Sequence, residues 1–187
     1  LKFAKRGPTG WTLQTVASAG ARYNSLAYDD SGYPAIAFSD DVNGDGSLDT
    51  LKLARWNGSA WNIQTVETGV VGYGVYASLV FDQNGNPAIS HVTGGTVRFV
   101  TWNGGSWDAT EVAGYGYNSR LVFNNADYSF YVSYVESDNT IRIARRVGPG
   151  NWTSEAIDFG NLVRGPIDLA ISSCGTPSAV YSTYPNQ

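Results

Sequence analysis

The sharpest chemistry in this sequence lies in nine consecutive residues. Asp41-Val42-Asn43-Gly44-Asp45-Gly46-Ser47-Leu48-Asp49 sets oxygen-bearing side chains on alternate positions around a glycine-rich reversal. A calcium ion takes six to eight oxygens, and alternate residues of a tight loop can aim theirs at one centre. Three carboxylates so close together repel one another unless a cation lies between them. The competing reading is an Asx-rich turn whose carboxylates face water. The related stretches Thr93-Gly94-Gly95-Thr96 and Glu136-Ser137-Asp138-Asn139-Thr140 lack the pattern, so one ion is expected.

A second group suits ligand binding rather than metal chemistry. Tyr23, Tyr73, Tyr76, Tyr115 and Tyr117 cluster in glycine-rich stretches such as Gly72-Tyr73-Gly74-Val75-Tyr76, and His91 and Arg164 fall in comparable places. Exposed rings beside Asn, Ser and Arg suit sugars or peptides, because the ring covers apolar surface while polar neighbours orient the ligand. The bland alternative is that these rings pack sheet edges. His91 is accompanied by no Ser or Cys nucleophile pattern, so an acid–base role has no partner group.

Internal repetition shows what must position these residues. Trp56-Asn57-Gly58-Ser59-Ala60-Trp61 recurs as Trp102-Asn103-Gly104-Gly105-Ser106-Trp107, and looser forms end at Trp11 and Trp152. A second marker appears as Leu1-Lys2-Phe3-Ala4, Leu51-Lys52-Leu53-Ala54, Val97-Arg98-Phe99-Val100 and Ile141-Arg142-Ile143-Ala144. Its cations form one column, expected to be solvated or paired with carboxylates. A third runs from Ser25 through Asp29, Gly32 and Pro34, and returns from Ser78.

Each unit reads as four short strands separated by Asn-Gly, Ser-Gly, Gly-Gly and Pro-Gly turn chemistry. No window shows helical apolar spacing between caps. The expected fold is all-β: a β-propeller of four blades, each of four antiparallel strands. Complete blades are expected at about 21–69, 70–114 and 115–160. The fourth would be shared between 1–20 and 165–187, closing the ring through sixteen strands. The alternatives are a segment of a larger ring, or half of one completed by a second chain. A monomer is expected from the closed form.

The pattern Ser-Leu-Ala-x-Asp-x-x-Gly-x-Pro-x-Ile, followed by Leu-Lys-x-Ala-Arg-Trp-Asn-Gly-x-x-Trp, resembles the tandem repeats of secreted bacterial β-propeller proteins. The loop at 41–49 resembles the calcium loop of integrin-α-type (FG-GAP-like) blades. That resemblance implies side-chain ligation by Asp41, Asn43, Asp45 and Asp49, with Ser47 contributing its backbone carbonyl. Position 12 is Lys52, so the long bidentate closure of an EF-hand is missing.

In such a fold the calcium loop, the tyrosines, His91 and Arg164 share one face. Propeller glycosidases place several carboxylates at the starts of their innermost strands; here those positions hold Ser25, Ser78, Ser119 or Arg120, and Asp168. A lone carboxylate does not make the pair that glycoside cleavage requires. Sixteen acidic against twelve basic residues give a net charge of −4, which argues against nucleic acid as a partner. No apolar run is long enough to insert as a membrane helix. One Cys and one His exclude an internal disulfide and a multi-Cys zinc centre. Cys174 is expected in an exposed turn with nothing to lower its pKa. The chain starts at Leu1 and has no Met, so a processed product or a segment of something longer is expected. The sequence therefore points to a non-catalytic, calcium-stabilised module, secreted or on the cell surface, that binds a glycan or protein surface. A polysaccharide hydrolase or lyase is the runner-up, followed by a purely architectural repeat.

Overall fold

Local turn chemistry builds the hairpins. The Asp29 carboxylate accepts hydrogen bonds from the amides of Ser31 and Tyr33 (3.1 and 2.9 Å), and Asp82 does the same for Asn84 and Asn86 (2.9 and 2.8 Å). Asn57 caps the amides of Ser59 and Ala60, and Asn103 those of Gly105 and Ser106. Gly58 and Gly104 each take φ +98° in these turns, a backbone conformation that L side chains adopt only with strain. The repeated Asn-Gly pair is thus two copies of one self-capped hairpin.

The computed structural model describes residues 1–18, 20–71, 76–159, 162–163 and 165–184. Among them are eighteen strands and no helix, hence no helix long and apolar enough to cross a membrane. β1 (Lys2–Gly7) pairs with β2 (Gly10–Thr15). β3 (Arg22–Tyr28), β4 (Pro34–Asp40), β5 (Thr50–Trp56) and β6 (Trp61–Thr68) form the first four-stranded sheet. β7 (Ser78–Phe81), β8 (Pro87–Thr93), β9 (Thr96–Trp102) and β10 (Trp107–Ala113) form the second. The third contains β11 (Tyr117–Asn124), β12 (Ser129–Val135), β13 (Ile141–Gly148) and β14 (Asn151–Asp158). β15 (Leu162–Val163) pairs with β18 (Thr183–Tyr184), and β16 (Asp168–Ile171) pairs with β17 (Pro177–Val180). Every ladder is antiparallel.

The first strands β3, β7, β11 and β16 lie beside one another in succession. In the three four-stranded sheets the second strand is covered on both faces, so β4 is buried throughout and β8 and β12 nearly so, whereas β17 is partly exposed. Fourth strands lie at the sheet edge, and β6 and β14 are mostly exposed.

Three of the four closing tryptophans are wedges between sheets. Trp61 meets Phe3 of β1 edge-on at 5.2 Å, and Trp152 meets Phe99 of β9 at 5.2 Å. Trp107 packs on the core cluster that contains Leu53 of β5. Phe3, Leu53 and Phe99 occupy the same position in successive repeats. Trp11 holds the corresponding place in β2, has no sheet beyond it among the described residues, and is 69% exposed.

One expectation is corrected and one is extended. Beside the sixteen expected strands, the described residues include one further pair of two-residue strands, β15 and β18. The ladder expected to close the chain on itself is absent among the described residues: β1–β2 and β16–β17 are separate two-stranded sheets.

Candidate ligand-binding site

The starts of the first strands surround a cavity of about 340 Å³, lined by Asn24, Tyr76, Ser78, Asn118, Arg120 and Asp168 among others. Two irregularities shape it. The β3–β4 register shifts between Arg22 and Ser25, and the β11–β12 register between Tyr117 and Arg120. Tyr23 and Asn118 sit at these shifts with φ of 51° and 56°. Such a conformation costs a non-glycine residue on the order of 1 kcal/mol, and bulges re-aim side chains at sheet rims. Asn118 Nδ2 donates to the Gly165 carbonyl at 2.7 Å, tying the bulge to the segment before β16.

Tyr76 meets Tyr23 edge-on at 5.1 Å and remains 45% exposed. Arg120 Nε lies 3.0 Å from Asp168 Oδ1, which also accepts the Leu169 amide at 3.1 Å. Both partners are substantially exposed, so the pair adds little stability but holds the guanidinium in place. An aromatic face, amides, hydroxyls and an ion pair can orient a polar ligand. Asp168 is the one carboxylate among the residues that line this cavity, where acid–base cleavage of a glycoside needs two.

Serines at these strand starts join the sheets. Ser25 Oγ accepts the Leu79 amide at 3.0 Å, and Ser78 Oγ accepts the Leu121 amide at 3.0 Å. At the third junction Arg120 and Asp168 occupy the matching positions, while Ser119 Oγ is buried with no hydrogen-bond partner.

The other expected ligand-binding residues disperse. Tyr73 and Arg164 lie outside the described residues. Tyr115 is exposed beside Gly95 in the β8–β9 turn. Tyr117 donates its hydroxyl to Asn139 Oδ1 at 3.0 Å and packs on a core cluster, and burial raises its pKa. His91 is corrected outright: it is a strand residue of β8, fully buried, with Nε2 2.8 Å from Glu67 Oε2. It occupies the register position of Phe38 and Tyr134, each opposite the column of cations. Those cations are paired: Lys52 with Asp40 at 2.6 Å, Arg98 with Glu67 at 2.7 Å and Arg142 with Glu136 at 2.6 Å. Lys2 donates to the Thr15 hydroxyl.

The expected calcium loop is an array of capped turns. Asp41 accepts the amides of Gly44 and Gly46 (2.7 and 2.9 Å), Asn43 the amide of Asp45 (2.9 Å), and Asp45 that of Ser47 (2.7 Å). Asp49 accepts the Thr50 hydroxyl at 2.7 Å and the Val42 amide at 3.2 Å, and its pKa falls chiefly through the Thr50 bond. No three His, Cys, Asp or Glu side chains converge on a common metal position among the described residues. The donor set suits calcium chemically, being hard oxygens throughout. Its Asp41 and Asp45 carboxylates also accept hydrogen bonds from the loop's own amides.

Asn24 and Asn118 were not anticipated. Their signal was the triplet Tyr-Asn-Ser, present at 23–25 and again at 117–119. Cys174 is exposed as expected, but its surroundings are not inert. Hydrogen bonding to Ser172 and Thr176, at 3.1 and 3.5 Å, lowers the thiol pKa.

No protein-family model and no curated protein matches this chain. Among solved structures it is similar to a protein of unknown function from Dyadobacter fermentans DSM 18053, with 14% identity and a TM-score of 0.64. That match covers 91% of this chain and 60% of the other. It is also similar to a bifunctional GH43-CE protein of Bacteroides eggerthii, with 12% identity and a TM-score of 0.55. There the match covers 91% of this chain and 26% of the other. The chain therefore spans about three fifths and one quarter of the proteins it matches, and at these identities the likeness is one of fold.

Proposed function

We propose that the sheets are blades of a β-propeller and that the protein is a non-catalytic glycan-binding module of the extracellular space or cell surface. The radial succession of β3, β7, β11 and β16 supports the propeller reading, as does the fold likeness to a GH43-containing protein. The observation that carries the function is the cavity at the strand starts, where the exposed Tyr76 ring stands among Asn24, Asn118 and the Arg120–Asp168 pair. A ring face covers the apolar side of a sugar while the amides and guanidinium meet its hydroxyls. Calcium held by Asp41, Asn43, Asp45, the Ser47 carbonyl and Asp49 would brace the loop on the same face.

A glycan array tests the reading. Selective hits that weaken at least about tenfold in Tyr76→Ala and Arg120→Ala are expected, since each removes a full contact. An array without hits sinks it. Turnover of a polysaccharide panel that disappears in Asp168→Asn would establish the hydrolase or lyase alternative instead.

A further inference from the structure

A larger cavity, about 540 Å³, opens at the opposite end of the strands, between the first and second four-stranded sheets. Its walls include Trp56, at the end of β5, and Trp102, at the end of β9. Each is the first tryptophan of its motif and is braced by the second, Trp56 by Trp61 and Trp102 by Trp107, both at 5.5 Å. Wedging between sheets falls to Trp61 and Trp107. Trp56 and Trp102 stay half-buried beside solvent.

The polar lining is equally ordered. Tyr33 lies over the turn that follows Trp56, so closely that a Cβ on Gly58 would come within 3.3 Å of its hydroxyl. Arg55 is held twice, by Asp29 at 3.4 Å and by the Phe81 ring of the next sheet at 5.5 Å. Asn62 and Gln64 are exposed on β6, two residues apart and so on one face of the strand. The single Asp and single Arg of the lining neutralise each other. The remaining groups are indoles, a phenol, amides and the apolar Ile63 and Pro87, which match a ligand that is uncharged, rich in hydroxyls and apolar on one C–H face.

We propose that this cleft is a second ligand site, distinct from the pocket at the strand starts, and that it binds a neutral pyranoside. The repeat distinguishes this cleft from the next one along. In the next cleft Asn86 stands where Tyr33 does, Thr101 replaces Arg55, Asp108 replaces Asn62, and Arg146 takes the place of Trp102. The Arg146 guanidinium lies over the Phe99 and Phe130 rings at 5.1 and 6.0 Å, filling that cleft with a cation where the first offers an indole face.

The test uses the whole chain with the methyl glycosides of glucose, galactose, mannose and N-acetylglucosamine. Binding is followed by tryptophan fluorescence and by saturation-transfer NMR. At least one glycoside is expected to saturate both signals. Its affinity should fall at least about tenfold in Trp102→Ala and measurably in Asn62→Ala, an exposed position whose change leaves the fold intact, while Tyr76→Ala leaves it unchanged. The proposal is overturned if none of the four saturates, or if binding survives both Trp102→Ala and Asn62→Ala. Loss in Tyr76→Ala alone would overturn it too, and would assign the ligand to the first pocket.

Discussion

Ser78 Oγ accepts the Leu121 amide across the junction between the second and third sheets, at 3.0 Å, and both residues are buried. A buried amide that loses its only acceptor bears its full desolvation cost, about 1–3 kcal/mol. Ser78→Ala should lower stability by that amount, read as a shift in urea midpoint. Ser119 supplies the control, because its buried hydroxyl has no partner. Ser119→Ala should stay within about 0.5 kcal/mol of the parent or exceed it. Equal losses in the two variants would contradict the assigned roles.

Glu67 gathers His91 and Arg98 on its two oxygens at 2.8 and 2.7 Å. Burial alone would raise its pKa, but the hydrogen bonds and charges of these two partners outweigh it and hold it below its ordinary value of 4.5. A carboxyl that titrates lower in the folded state adds stability above its unfolded pKa and surrenders it as pH falls through the folded one. Stability should therefore decline from about pH 4.5 downward. Glu67→Gln should be less stable at pH 7, where it leaves buried His91 without its carboxylate, and should show a flatter acid limb. Denaturation midpoints measured from pH 7 to pH 3 decide this; parallel curves would refute it.

Calcium at 100 times its dissociation constant should add about 2.7 kcal/mol if only the folded chain binds it. For a domain this size that is roughly 5–10 °C in melting midpoint. Asp45→Ala should abolish most of the shift and keep the fold, since the residue is exposed. Melting curves that coincide with calcium and with chelator would remove calcium from the functional reading.

Sheet edges supply a fourth expectation. Trp11 and Leu13 of β2 are 69% and 75% exposed, and one edge of β1 carries no ladder among the described residues. Bare edges flanked by large apolar side chains favour association. Light scattering should show an average mass that rises above 20.1 kDa with concentration, and Trp11→Glu should suppress the rise. A concentration-independent 20.1 kDa for the parent chain would contradict it.

What the sequence disclosed was mostly local. The Asn57 and Asn103 turns, the Asp29 and Asp82 turns and the strands between them follow from caps within five residues of the group they satisfy. His91 was misplaced because a polar residue was read by its type. Aligned with Phe38 and Tyr134, its column is one of buried side chains. The bulges at Tyr23 and Asn118 were not legible, since a register shift is settled by the partner strand and not by the residues that bulge. Closure was equally out of reach. Counting repeats counts sheets, whereas the rotation from one sheet to the next depends on how each wedge such as Trp61 or Trp152 seats against its neighbour.

β1 and β17 each have one edge that carries no ladder among the described residues, and the two edges are not alike. β1 presents Lys2, Lys5 and Arg6 within six residues, whereas β17 is four residues long, uncharged and begins with Pro177. Two copies meeting β1 to β1 would set cation against cation, which opposes pairing. Two β17 edges would offer each other little length and one missing donor. The combination left unopposed is the head of one molecule against the tail of another. Any pairing of copies through these edges would therefore be polar, β1 of one against β17 of the next, and never two-fold symmetric.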